Sequence, residues 1–148
     1  MSKVISAPAQ TLFPGMRYAD ASAAIDWLEK AFGFERQMVV PGPNGTVAHA
    51  QLLFGGRGMI MLGSCRDDEF HYKTPRQAGG VTQATYLYVD DIDTHFARAK
   101  AAGAEIVIPL KPTDYGSREY SARDLEGHLW HFGTYLPDLA PEAGKAAS

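Results

Sequence analysis

Two stretches of this chain carry the same pattern of apolar and polar positions. Between Arg17 and Glu35, Ala24, Ile25, Leu28, Ala31 and Phe32 recur at helical spacing and form one apolar stripe. Asp20 stands where a helix would be capped and Gly33 where it would end. From Leu87 to Glu105 the pattern returns, with Ile92, Phe96, Ala99 and either Ala101 or Ala102 as the stripe. At a shift of 70 (90 − 20), Tyr18, Asp20, Lys30, Ala31, Gly33 and Glu35 meet identical residues at 88, 90, 100, 101, 103 and 105. Ile25 matches Phe96 better at a shift of 71, which leaves the register of the second helix open by one residue.

Strand-like material follows each helix. The first half offers Phe34–Val40, a turn at Pro41–Gly45, Thr46–Phe54, a hairpin turn at Gly55–Gly58 and Met59–Leu62. The second offers Glu105–Leu110, Arg118–Arg123, a turn at Asp124–Gly127 and His128–Thr134. Each half reads β-α-β-β-β, so the expected class is α+β with two paired βαβββ modules. A single domain over 1–148 would hold a first module at 12–63, a polar linker at 64–82 and a second module at 83–136. Two such sheets pair because neither covers its own apolar face. Trp130 and Phe132 fall on the helix side as core, and Trp27 is core or interface.

With two βαβββ units, a strand–Asp–helix–Gly opening in each and Asp124-Leu-Glu-Gly-His-Leu-Trp-His131, the sequence resembles the vicinal oxygen chelate superfamily. That group includes glyoxalases, extradiol dioxygenases, fosfomycin resistance enzymes and bleomycin-binding proteins. Leu12-Phe-Pro-Gly-Met-Arg-Tyr18 and His49-Ala-Gln51 look most like its glyoxalase/bleomycin-resistance-like branch. The resemblance implies four metal-ligand positions, two per module, normally His, Glu or Gln. Carried onto this chain they read Phe13, Met61, Ala84 and His131, with Gln83 in the third place if the register slips by one. A phenyl, a thioether, a methyl and one imidazole make a poor site for a hard divalent ion. The expectation is no metal and no cofactor. The alternative is a divalent metal held by His49, His131 and Glu119 in a lyase or dioxygenase of the same superfamily.

Period-two alternation from those positions defines a concave face. It carries Phe13, Gly15 and Arg17, then Met59 and Met61, and in the second module Ala84, Tyr86, Tyr88, Leu129 and His131. The side on which Arg118, Glu119 and Arg123 lie stays open. The candidate ligand-binding residues are Phe13, Arg17, His49, Met61, Tyr86, Tyr88 and His131. Aromatic and thioether walls with a few polar handles suit a planar or partly apolar organic molecule. No catalytic residue is assigned: no nucleophile motif and no phosphate-binding loop stands out, and His71, His95 and His128 receive no role.

Composition narrows the classes further. Fourteen Lys and Arg against seventeen Asp and Glu give a net charge of −3, with no basic excess for nucleic acid. The single cysteine, Cys65, excludes an internal disulfide and reads as an unreactive thiol. No apolar run reaches membrane-spanning length, and Met1–Gln10 lacks a secretory apolar core. The expectation is therefore a cytoplasmic homodimer with two clefts that binds a small organic molecule, sequestering an aromatic metabolite or antibiotic without chemistry.

Overall fold

A computed structural model describes residues 10–141. Most of the opening Met1–Gln10 stretch and the end of the Pro/Ala-rich tail lie outside them. The first module contains β1 (Gly15–Tyr18), α1 (Ala21–Phe32), β2 (Glu35–Pro41), β3 (Val47–Phe54) and β4 (Gly58–Ser64). A short helix, α2 (Pro75–Ala78), lies in the segment expected to be a plain linker. The second module contains β5 (Ala84–Tyr88), α3 (Ile92–Ala101), β6 (Glu105–Pro112), β7 (Arg118–Arg123) and β8 (Leu129–Gly133). The sheets have orders β1-β4-β3-β2 and β5-β8-β7-β6, and in each the first pair is parallel.

Both helices begin as their capping aspartates dictate. Asp20 accepts from the Ala23 amide at 3.1 Å and Asp91 from the Thr94 amide at 3.3 Å, a shift of 71 (91 − 20). Gly33 ends α1 in the left-handed region at φ 83°, and Gly103 follows α3 at φ 89°, a shift of 70. The second helical segment is therefore one residue shorter, and α3 turns Ala102 rather than Ala101 toward the core. Strand registers agree with the larger shift: Gly15 pairs with Met61, and Tyr86 with His131. Arg17 is thus the counterpart of Tyr88, whereas Tyr18 corresponds to Val89. The identity of Tyr18 with Tyr88 at a shift of 70 crosses a pleat; Tyr18 is wholly buried and Tyr88 is 42% exposed.

The two sheets pack through the faces that carry their helices. Phe34 and Phe54 of the first module approach Trp130 and Phe132 of the second, with ring centroids 5.6 and 6.3 Å apart. Phe32 of α1 reaches Phe132 at 4.7 Å, so one continuous aromatic core serves both modules. Phe32, Phe34, Trp130 and Phe132 are buried, and each such ring contributes on the order of 1.5–3 kcal/mol, with Phe54 only partly covered.

Polar groups fix the pairing that this core alone would leave loose. The Tyr18 hydroxyl donates to Asp124 Oδ2 at 2.7 Å, and Trp130 Nε1–H donates to the same oxygen at 3.0 Å. Asp124 Oδ1 accepts the amides of Glu126 and His128, which locks its own turn. Glu126 then accepts the Ala19 and Asp20 amides at 2.6 and 2.8 Å, placing a carboxylate at the positive end of α1. At the other end Arg98 donates to the Glu29 and Lys30 carbonyls. His95 Nε2–H donates to the Phe32 carbonyl at 2.8 Å while Tyr120 O–H donates to Nδ1 at 2.6 Å, a pattern that suits the neutral ring. The second module thus clamps α1 at both termini.

Two outcomes follow from this clamp. Asp124→Ala strands the Tyr18 hydroxyl and the Trp130 indole in the core and is expected to cost on the order of 3 kcal/mol or more. Asp124→Asn, which keeps an acceptor, should cost about 1–2 kcal/mol; urea unfolding of the two variants checks the order. Burial lowers the pKa of His95, aided by the charge of Arg98 and opposed by the Phe32 carbonyl. The unfolded state then binds the extra proton first, so stability is full above the unfolded value near 6.5 and falls as pH drops below it. Denaturation midpoints at pH 7.5 and 5.5 should differ more for the wild type than for His95→Gln.

Candidate functional site

Because the sheets meet through their helix sides, their other faces turn outward. On the first, Arg17 follows Gly15 on β1, Met61 lies beside Gly15 on β4, and His49 stands on β3. Phe13 precedes β1 rather than belonging to it, although Pro14 extends the pairing by accepting from the Met61 amide at 2.8 Å. Phe13, Arg17, His49 and Met61 line one cavity of about 340 Å³. His49 Nε2 and Gln51 Oε1 lie 2.9 Å apart, and Gln51 donates to Gln37, so a polar row crosses this face.

The remaining candidates occupy the outward face of the second sheet. Tyr86 and His131 are direct neighbours on parallel strands, and Tyr88 follows beside Gly133. His131 Nδ1 lies 2.7 Å from Ser121 Oγ, and the Tyr86 hydroxyl donates to the Tyr135 carbonyl at 2.6 Å. Register assigns the open cases: Glu119 and Arg123 pair with Gly133 and Leu129 and share the His131 face. Arg118 reaches back to Asp93 on α3 through two bonds of 2.8 and 2.9 Å.

One chain therefore divides the candidates: four residues line the first-sheet cavity and three stand on the second sheet. Phe13 and Met61 belong to one outward face, Ala84 and His131 to the other, so a single chain does not gather those four positions on one floor. The alternative set is split as well, with His49 on the first face and His131 and Glu119 on the second. Among the described residues no group of three or more His, Cys, Asp and Glu is placed to hold a metal ion. The donor chemistry does not fit a hard divalent ion either, since Phe13, Met61 and Ala84 offer no nitrogen or oxygen.

The 64–82 segment adds what sequence periodicity did not reveal. Arg17 is only 8% exposed, because this segment folds over it. Its Nη2 donates to Asp68 at 3.1 Å, and the Tyr72 ring lies 4.5 Å from its guanidinium carbon. Arg66 also contributes, bonding Asp68 Oδ2 at 3.3 Å and the Ala48 carbonyl at 3.1 Å. Desolvation works against the Asp68 carboxylate, yet its hydrogen bonds and the two guanidinium charges hold its pKa below the usual value. A capping box at Thr74 and Gln77 starts α2, and the Arg76 bond to the Leu125 carbonyl ties the segment to the second module. In sequence Arg66, Asp68 and Tyr72 stand in a polar stretch with no spacing that announces a wall. Cys65, at its start, has its thiol pKa raised chiefly by burial, which keeps it protonated and weakly nucleophilic.

The profile of the Glyoxalase/Bleomycin resistance protein/Dioxygenase superfamily matches residues 10–132. The chain belongs to this superfamily. It is 36% identical over 138 residues to an uncharacterised protein of Mycobacterium bovis, covering 92% of this chain and 90% of that one. Among solved structures it is similar to TioX from Micromonospora sp. ML1, with a TM-score of 0.71 and 37% identity over 86% of this chain and 99% of that one. The fosfomycin resistance protein FosX from Mesorhizobium loti shares the fold at a TM-score of 0.58 and 14% identity, over 86% of this chain and 92% of that one. No helix among the described residues is long and apolar enough to cross a membrane.

Proposed function

We propose that this protein binds a small, partly apolar organic molecule without a metal, and that two copies complete each cleft. The observation that carries the reading is the chemistry at the four family ligand positions, where three of four side chains are carbon or thioether. Such walls exclude water and grip flat molecules by contact area rather than by coordination. Arg17, His49 and His131 supply the polar handles. The split of the candidate residues between two outward faces supports the two-copy cleft: the first sheet of one protomer would face the second sheet of its partner. Exposed Met38 and Val40 on β2 and Ile108 on β6 give that contact apolar area. Burial of the free molecule would lower its concentration with no bond made or broken, the action suited to sequestering an aromatic metabolite or an antibiotic. Bleomycin resistance proteins in the superfamily's own description make an antibiotic a natural first trial.

Thermal unfolding against a panel of aromatic metabolites and antibiotics tests the reading, because a ligand of the native state raises the midpoint through linkage. Stabilisation by an aromatic compound should be the same with EDTA as without it, and the protein should sediment as a dimer. A midpoint that collapses on chelation, restored by one stoichiometric divalent metal, would instead favour the lyase or dioxygenase reading.

The compound that stabilises most then tests the face. Tyr88→Ala is expected to weaken it by on the order of 1–3 kcal/mol, roughly tenfold or more in affinity by titration calorimetry. Tyr18→Phe, in the core, should lower the unfolding midpoint and leave affinity unchanged. The reverse pattern would move the binding face by one residue along every strand.

A further inference from the structure

Arg17 holds the one buried polar side-chain atom without a hydrogen bond among the described residues, its Nη1. The side chain is 91% buried, yet it lines the first-sheet cavity. A buried guanidinium N–H left unpaired is costly, so an acceptor brought to this guanidinium would be held strongly. The charge balance points the same way. Arg17 and Arg66 share a single carboxylate oxygen, Asp68 Oδ2, at 3.1 and 3.3 Å. Two cations on one anion leave a net positive charge at the cavity wall. Tyr72, stacked on the guanidinium, fixes its plane, so the fork keeps its direction when the site is empty. Beside His49 on the same wall, Phe13 and Met61 offer apolar contact.

We propose that this cavity recognises a carboxylate on an otherwise apolar ligand, the carboxylate seating against the Arg17 guanidinium, whose Nη1 lacks an acceptor, while the hydrocarbon lies against Phe13 and Met61. The inference rests on the small-molecule reading above and narrows it to organic acids. It does not depend on the dimer, since every residue involved comes from one chain. Asp68 acts here in two opposed ways. It holds Arg17 in place through Nη2, and its negative charge repels the incoming acid.

Calorimetric titration with 2-naphthoate and with its neutral primary amide tests the proposal. The wild type should prefer the acid by on the order of tenfold, the effect expected of one hydrogen bond to a charged group. Arg17→Gln should abolish that preference by weakening the acid alone. Asp68→Asn keeps an acceptor for Arg17 and removes the repulsion, so it should tighten the acid several-fold and leave the amide unchanged. A merely structural Arg17–Asp68 pair would give the opposite sign. Should Arg17→Gln fail to fold, Asp68→Asn decides alone. Equal binding of acid and amide by the wild type would overturn the carboxylate inference while the small-molecule reading stands. Binding of neither probe, or an Asp68→Asn variant that weakens the acid, would also overturn it.

Discussion

The buried carboxylate of Asp124 is the contact on which the rest of the molecule depends. It gathers a phenol from β1, an indole from β8 and two amides of its own turn, and it does so between two sheets that share no backbone ladder. Hydrophobic burial drives the sheets together but is non-directional. A buried acceptor with fixed donors is directional, because any other seating leaves donors unpaired in the core. Burial first, and the Asp124 charge second, push the pKa of Tyr18 well above its ordinary value, so the phenol remains a donor at any physiological pH.

That seating has a geometric consequence for the candidate site. When Phe34 and Phe54 are committed to Trp130 and Phe132, the helix side of each sheet is used up. What remains for a ligand is the opposite face of each sheet, and the two point apart. The same choice explains why β2 and β6 expose apolar side chains on a chain whose core is otherwise well closed. In the proposed reading a cleft with residues from both modules takes a second copy, while the Arg17 cavity is lined by one chain.

The segment between the modules shows how a polar stretch becomes structure. Taken alone, Ser64–Gly80 has no apolar period and no reason to settle anywhere. Arg17 provides one: a guanidinium on β1 requires a counter-charge and a flat surface, and Asp68 and Tyr72 supply them. The site thereby acquires a wall from residues with little individual signal, and Arg17 changes from an exposed handle to a held, half-neutralised cation.

The sequence by itself determined the elements and their facing. Apolar stripes, two capping aspartates and strand alternation specified both βαβββ modules, the core role of Trp130 and Phe132, and the outward side of Arg17 and Tyr86. These are local properties, set by helix and strand periods that act within a few residues. The register left open there closes one residue away from the Tyr18–Tyr88 identity, because that identity is counted across a segment that is one residue shorter. Tertiary structure alone decided which faces meet, what became of the linker, and that the seven candidate residues divide between two surfaces. Those outcomes depend on contacts between residues as far apart as Tyr18 and Asp124, where the selecting force is the cost of an unpaired buried group, and no period along the chain encodes that.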